Sequence, residues 1–249
     1  DAFLARIERL VVDGGFGIFT GDPGLGKSRL LQRLAGRLAR LADVQVAVME
    51  RPQSTLSDFY RELGDVFALP LSPANRYGGF KALRERWRTH LRSTLHRPVL
   101  LIDEAQELTD TALSELRLLS SAHFDSECLL TVVLAGDSRL TARFRDPALA
   151  PLGSRLQVRH VFEPLDRTQL RALLDHVLAR AGAPQLMTDG LKATLAEHAA
   201  GNDRVLMHMA NDLLQDAAAK NHPCLDEPLY NERFALAPRK PAGRARSTP

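Results

Sequence analysis

Cysteine is nearly absent from this chain. Only Cys128 and Cys224 occur in 249 residues. They lie far apart and lack metal-ligand spacing, which excludes a disulfide scaffold and points to a reducing, cytoplasmic setting. Long apolar runs are missing as well: none approaches the roughly 20 residues that cross a bilayer, so no membrane partner is expected. No signal-peptide pattern opens the chain. It starts at Asp1 rather than at methionine, which leaves room for a preceding segment. The eight histidines show no paired-ligand spacing, and there is no G-x-S-x-G or Cys/His nucleophile pattern, so a transition-metal or acyl-transfer centre is not expected. Lysine is scarce and arginine carries most of the positive charge. Arginine is the better bidentate ligand for phosphate, although GC-rich coding leaves the same bias.

What is present is ordinary for a soluble globular protein: 45% hydrophobic and 25% charged residues, with a net charge of +3. The length fits one large domain with a small companion. The mild positive charge permits contact with nucleic acid without requiring it. Residues 3–12 put Phe3, Leu4, Ile7, Leu10 and Val11 on one helical face, and Gly14-Gly15 ends it. Buried strands are predicted at 16–20 (FGIFT), 44–50 (VQVAVME), 129–137 (LLTVVLAGD) and 156–162 (LQVRHVF), and PVLLIDEAQEL at 98–108 reads as a strand running into a helix. Helices are expected over 28–41, from about Thr55 with Ser54 or Thr55 as cap, over 80–95, and over 110–121. PLSPANRYGG at 70–79 reads as a connector. Residues 166–220 hold three helical segments and no strand, and the basic tail PRKPAGRARSTP has nothing to bury. The fold class is therefore α/β: a five-stranded parallel sheet flanked by helices over 1–163. A small all-helical lid over 164–222 and a C-terminal extension over 223–249 follow it.

Two short stretches carry chemistry. Gly21-Asp22-Pro23-Gly24-Leu25-Gly26-Lys27-Ser28 fits G-x-x-x-x-G-K-[ST], the loop whose backbone N–H groups surround phosphate oxygens. An apolar strand precedes it and a helix follows, so a chance glycine-rich turn is disfavoured. Lys27 brings a charge to the β/γ-phosphates, Ser28 offers an oxygen to Mg²⁺, and the helix through Arg29 adds its positive dipole end. In VLLIDE, Asp103 leaves the carboxyl end of a buried strand, where it can support Mg²⁺. Glu104 follows, placed to polarise an attacking water. An acidic helix cap is the plainer reading of Asp103. Together the two motifs predict nucleotide binding, with Mg²⁺ as the only metal. No N-K-x-D guanine motif occurs, so ATP is the expected nucleotide.

These pieces, with the helical unit after the fifth strand, resemble the AAA+ ATPases. The resemblance implies a polar sensor at the end of the fourth strand, here Asp137 or Ser138. Aspartate departs from the usual neutral residue, and it is open to pairing with an arginine instead. It implies an arginine finger from a neighbouring subunit, for which GSRLQVRHVFEPL offers Arg155, and a second sensor opening the third lid helix, for which Arg204 is the candidate. Each of these arginines also reads as a solvated surface charge. The strings LLIDEAQELTDTALSELRLLS, VVLAGDSRL and PLGSRLQVRHVFEPL are similar to the ExeA-like and TniB/TnsC-like ATPases, relatives of MuB and IstB, over roughly 16–220. That resemblance implies a homo-oligomeric ring or helical filament on double-stranded DNA that recruits or activates a DDE-type transposase. The alternatives are an ExeA-like secretion ATPase, a nucleotide-gated interaction module with little hydrolysis, and an initiator-like helicase loader. For DNA, Lys81, Arg84, Arg88 and Arg92 form a stripe at helical spacing, or else a solvated face. Relatives in this group use the loop after the second strand, which makes Arg51, Gln53, Ser54 and Thr55 candidates. The tail residues Arg239, Lys240, Arg244 and Arg246 are further cations that can reach DNA or a partner.

Overall fold

A computed structural model describes residues 2–50, 52, 55–72, 75–94, 96–123 and 126–234. The chain divides into two compact units, Asp1–Glu163 and Pro164–Pro249.

The first unit is built as apolar strands alternating with helices. It runs α1 (Ala2–Asp13), β1 (Phe16–Thr20), α2 (Lys27–Leu38), β2 (Val44–Met49), α3 (Leu56–Val66), α4 (Arg76–Thr89), β3 (Arg97–Ile102), α5 (Asp110–Ser120), β4 (Ser121–Ala122), β5 (Glu127–Cys128), β6 (Thr131–Gly136), α6 (Ser138–Arg143), α7 (Ala150–Gly153) and β7 (Leu156–Val161). Five strands form one sheet in the order β2-β3-β6-β1-β7, and every pairing is parallel. Sequence sets each strand's place. FGIFT and TVVLAG are buried along their whole length, so β1 and β6 lie inside the sheet. LQVRHV buries only Leu156 and Val158, the alternation of an edge strand with one wet face.

Successive side chains of one strand feed opposite faces. Phe19, Leu101 and Val133 join Ile7 of α1 and Leu34 of α2 on one face. Ile18, Leu100, Val132 and Leu134 join Phe59 of α3, Trp87 of α4 and Leu116 of α5 on the other. Gly17 lets α1 lie close on β1, because a Cβ there would come 2.9 Å from the Ile7 side chain.

Three local differences from the sequence reading have physical causes. Helix α4 begins at Arg76, because the Asn75 side chain accepts the Gly78 N–H at 2.8 Å and caps the first turn. The end of the expected connector is thus helical despite its glycines. Past Thr89 the helix widens into a π turn over His90–Thr94. The residues between α5 and β6 form a small antiparallel pair, β4 with β5, where no strand was expected.

The second unit contains α8 (Arg167–Arg180), α9 (Asp189–His198), α10 (Asp203–Lys220) and α11 (Glu227–Phe234). Asp166 and Gln169 form a reciprocal capping box that starts α8. Helix α11 falls within the stretch set apart as an extension. Leu225, Leu229 and Tyr230 fill the same core as Leu174, Leu195 and Leu206. The Tyr230 ring stacks on His198 at 5.3 Å, and its hydroxyl lies 2.9 Å from His198 Nδ1. Burial of these residues explains why the chain stays ordered beyond the third helix. The basic residues Arg239, Lys240, Arg244 and Arg246 lie outside the described residues.

Candidate nucleotide-binding site

The site is assembled at the carboxyl ends of β1, β3 and β6. Strand β1 runs directly into Gly21–Gly26. Gly24 and Gly26 adopt φ of 86° and 82°, a left-handed conformation that any side chain would disfavour. Two left-handed residues separated by one ordinary residue curl the loop into the concave backbone that receives anions. Helix α2 starts at its rim with Gly26 as cap residue and Lys27 as first residue. The Lys27 side chain is buried and folds back over the loop, donating to the carbonyls of Gly21 at 2.7 Å and Asp22 at 2.9 Å. A buried ammonium held only by neutral oxygens suits an arriving phosphate. Leu25 is buried, whereas Asp22, Pro23 and Arg29 are exposed.

Ser28, Asp103 and Glu104 line one cavity of about 460 Å³ with Gln32 and Glu50. A hydroxyl and a carboxylate are hard oxygen donors of the kind Mg²⁺ takes when phosphates and water complete its shell. Among the described residues no group of three or more His, Cys, Asp or Glu is placed to hold a metal, so a cation here depends on the nucleotide for the rest of its ligands. Asp103 is half-buried and accepts the Glu104 N–H at 3.0 Å. Glu104 is exposed and sits at φ 48°, ψ 39°, ahead of a 3₁₀ turn over Ala105–Glu107. A non-glycine residue held in this region is unusual and clusters at functional sites.

Of the two sensor candidates, Asp137 makes the arginine pair that its sequence reading left open. The Asp137 carboxylate accepts the Arg139 N–H at 2.9 Å, capping α6, and pairs with the Arg139 guanidinium at 2.8 Å. Arg139 also reaches Glu107 at 2.9 Å, and these contacts raise its pKa further. The charge of Asp137 is thus spent on an arginine. Ser138 is exposed at the start of α6. The buried polar side chain between β3 and β6 is Gln106, which donates from Nε2 to the Glu104 carboxylate and accepts the Asp137 N–H at 3.1 Å. Gln106 was not singled out from the sequence. The turn Ala105-Gln106-Glu107 carries two polar residues, and nothing local marks Gln106 as the buried one.

The remaining candidates are scattered. Arg155 is half-buried just before β7, within electrostatic reach of Cys128. This is the edge where the parallel strands begin, so Arg155 cannot join its own chain's phosphate loop. In the second unit, Arg204 is exposed in the first turn of α10. Arg51, Gln53 and Ser54 lie outside the described residues. Thr55 caps α3, accepting the Asp58 N–H at 3.1 Å and donating to the Asp58 carboxylate at 2.6 Å.

The cationic stripe of α4 splits. Arg84 turns inward, stacks over Phe80 at 5.0 Å, donates to the Leu118 carbonyl at 2.6 Å and reaches the Ser121 carbonyl. Burial, with the nearby Arg88 charge, lowers its pKa. It holds α4 to the end of α5 and does not serve a surface stripe. Lys81 is exposed. Arg88 and Arg92 line a separate cavity of about 400 Å³ with His123 and Glu85. The buried Arg88 Nε has no hydrogen-bond partner.

A model of the AAA domain family matches residues 11–144. General secretion pathway protein A of Aeromonas hydrophila is 32% identical over 222 residues, covering 87% of this chain and 40% of that protein. The chain therefore spans less than half the length of this relative. Among solved structures, Cdc6p from Pyrobaculum aerophilum superposes with a TM-score of 0.70 at 17% identity, over 89% of this chain and 62% of that one. The Aeropyrum pernix ORC1 protein in complex with DNA superposes with a TM-score of 0.67 at 19% identity, over 93% and 63%. At these identities the likeness to the two structures is one of fold.

Proposed function

The chain belongs to the AAA domain family, and on that premise we propose that it is an ATP-hydrolysing switch that works as a homo-oligomer. The observation that carries this reading is the meeting of Ser28, Asp103 and Glu104 around one cavity, beside a left-handed glycine loop that presents Lys27. In this reading Lys27 leaves its two carbonyl partners and neutralises the terminal phosphates. Ser28 and Asp103 would hold Mg²⁺, which when bound would offset phosphate charge. Glu104 orients a water and takes its proton as the water attacks the terminal phosphorus, whose bond to the bridging oxygen breaks so that the nucleoside diphosphate leaves. Arg155 approaches the phosphates of a neighbouring subunit, where a guanidinium stabilises charge that develops in the transition state. Arg204 serves as the second sensor.

What the cycle drives is best supported as a secretion-associated task. The support is the identity of 32% to the Aeromonas hydrophila secretion protein across most of this chain. A second reading, a DNA-bound helper of a DDE-type transposase, draws on the motif resemblance and on one feature of the first unit. That feature is the cavity in which Arg88 and Arg92 carry charge toward no carboxylate partner among the described residues.

One experiment addresses both levels. ATP turnover is measured with and without Mg²⁺ while oligomer size is followed, and duplex DNA is then titrated at several salt concentrations with ATP and with ADP. Mg²⁺-dependent turnover abolished by Lys27→Ala supports the switch, and its absence overturns it. ATP-dependent DNA binding that weakens steeply with salt favours the transposition reading. No DNA binding at low salt in either nucleotide state leaves the secretion reading.

A further inference from the structure

Resting on the ATPase reading, we propose that Gln106 is the positioning residue that sets the Glu104 carboxylate and links it to the end of β6. The role expected of a polar side chain on β6 would then be filled from the 3₁₀ turn after β3.

Four observations converge. The first is the double engagement of one buried amide. Gln106 Nε2 donates to Glu104 Oε2, while Oε1 accepts the Asp137 N–H at 3.1 Å. A neutral amide does both at once, whereas a carboxylate cannot donate and an alkyl chain can do neither. The second is the space. A Cβ on Gly136 would lie 2.6 Å from Gln106 Oε1, so the bare glycine at the end of β6 makes room for that oxygen. The third is the Glu104 backbone, at φ 48°. A side-chain-bearing residue stays there when its surroundings hold it, and the Gln106 amide is the side-chain contact made by its carboxylate. The fourth is the elimination of the residue just after β6, since the Asp137 carboxylate is occupied by Arg139 and by the α6 cap.

The turn is also fastened from outside. Arg143 of α6 donates to the Gln106 carbonyl at 2.8 Å and pairs with Asp110. A shift of α6 and the end of β6 therefore moves the Gln106 backbone and amide together, and the Glu104 carboxylate with them. Gln106 itself is 9% exposed. It needs no contact with the nucleotide, because it acts through Glu104.

The test uses the whole chain. Steady-state ATP turnover is compared for wild type, Gln106→Leu, Gln106→Asn, Gln106→Glu and Glu104→Gln. Affinity for a fluorescent ATP analogue is measured separately, and circular dichroism checks folding. Gln106→Leu is expected to lower kcat by about 10- to 100-fold while nucleotide affinity stays within about twofold, because it frees a group that works on water. Gln106→Asn, one methylene short of bridging both partners, is expected to fall between wild type and Gln106→Leu. Gln106→Glu sets two carboxyls side by side, so the acid limb of its kcat–pH profile is expected to move up by about one pH unit or more. That limb is independent of the fraction of active protein, so it remains decisive if Gln106→Leu folds poorly. A kcat within twofold of wild type in Gln106→Leu, or an unmoved acid limb in Gln106→Glu, overturns the assignment and leaves the ATPase reading intact. A wild type with no turnover above Glu104→Gln overturns the ATPase reading and this inference with it.

Discussion

The first unit carries arginines at both edges of its sheet, and the two sets are used differently. At the edge where the strands end, Arg139 pairs with Asp137 and Glu107, and Arg143 pairs with Asp110. Their charges are spent holding α6 and the 3₁₀ turn in register around Glu104. At the edge where the strands begin, Arg88 and Arg92 face a cavity and make no hydrogen bond or ion pair among the described residues. A guanidinium already clamped by carboxylates has little left for an incoming anion. One without a partner keeps its full attraction for it. The arginines of the first edge are committed to carboxylates beside Glu104, and those of the second line a cavity without such pairs.

The largest test of that division removes the groups the first edge exists to place. Glu104→Gln is expected to lower ATP turnover by about 10²-fold or more with nucleotide binding retained, checked by phosphate release and by direct binding. The Arg88→Ala/Arg92→Ala double variant is expected to keep turnover within about twofold of wild type, and a loss matching that of Glu104→Gln would erase the distinction between the edges.

A different break lies in the packing beneath both edges. Glu115 is buried and accepts from the Tyr60 hydroxyl at 2.5 Å and from Arg76 Nε at 3.1 Å, tying α3, α4 and α5 together. Glu115→Ala leaves the buried Tyr60 hydroxyl without its acceptor, while the exposed Arg76 turns to water, and is expected to cost about 1–3 kcal/mol in denaturant unfolding. Burial, then the Glu115 hydrogen bond and charge, raise the Tyr60 pKa well above its ordinary value of 10.0. A raised folded-state value means that the unfolded chain ionises first. The stability this group contributes is complete below about pH 10 and is lost as pH rises beyond it. Thermal melts between about pH 8 and 11 should show that slope, and Tyr60→Phe should flatten it.

Two smaller effects sharpen the contrast. If duplex DNA binds, Arg88→Ala/Arg92→Ala should reduce the slope of log K against log salt by about 1.8, or ~0.9 for each lost phosphate contact. An unchanged slope removes these residues from the binding face. Arg139→Ala removes a fully exposed guanidinium and is expected to leave the melting temperature nearly unchanged. A larger loss would show that the network around Asp137 bears more of the fold than its exposure suggests.

Much of this was legible in the chain. The five parallel strands, their alternation with helices and the phosphate loop all follow from local pattern. So does the position of Asp103 and Glu104 at a strand end. Other features were not legible. The sequence places Arg84 on the same stripe as Arg88, yet its partners are carbonyls of Leu118 and Ser121, more than thirty residues away. Helix α11 reads as part of a tail until Leu225, Leu229 and Tyr230 meet the core of α8, α9 and α10. Gln106 reads as one more polar residue in a turn until β6 brings the Asp137 N–H beside it.

By itself, then, the sequence determined the elements and the candidate phosphate-loop residues. Glycine at a left-handed position, an apolar run that must be buried and a helix cap are all decided within a few neighbouring residues. Tertiary structure decided which charges are free and which are spent. An ion pair or buried hydrogen bond depends on distance in space, and only the packing of the sheet and its helices sets the distances from Arg143 to Asp110, from Arg76 to Glu115 and from Gln106 to Asp137.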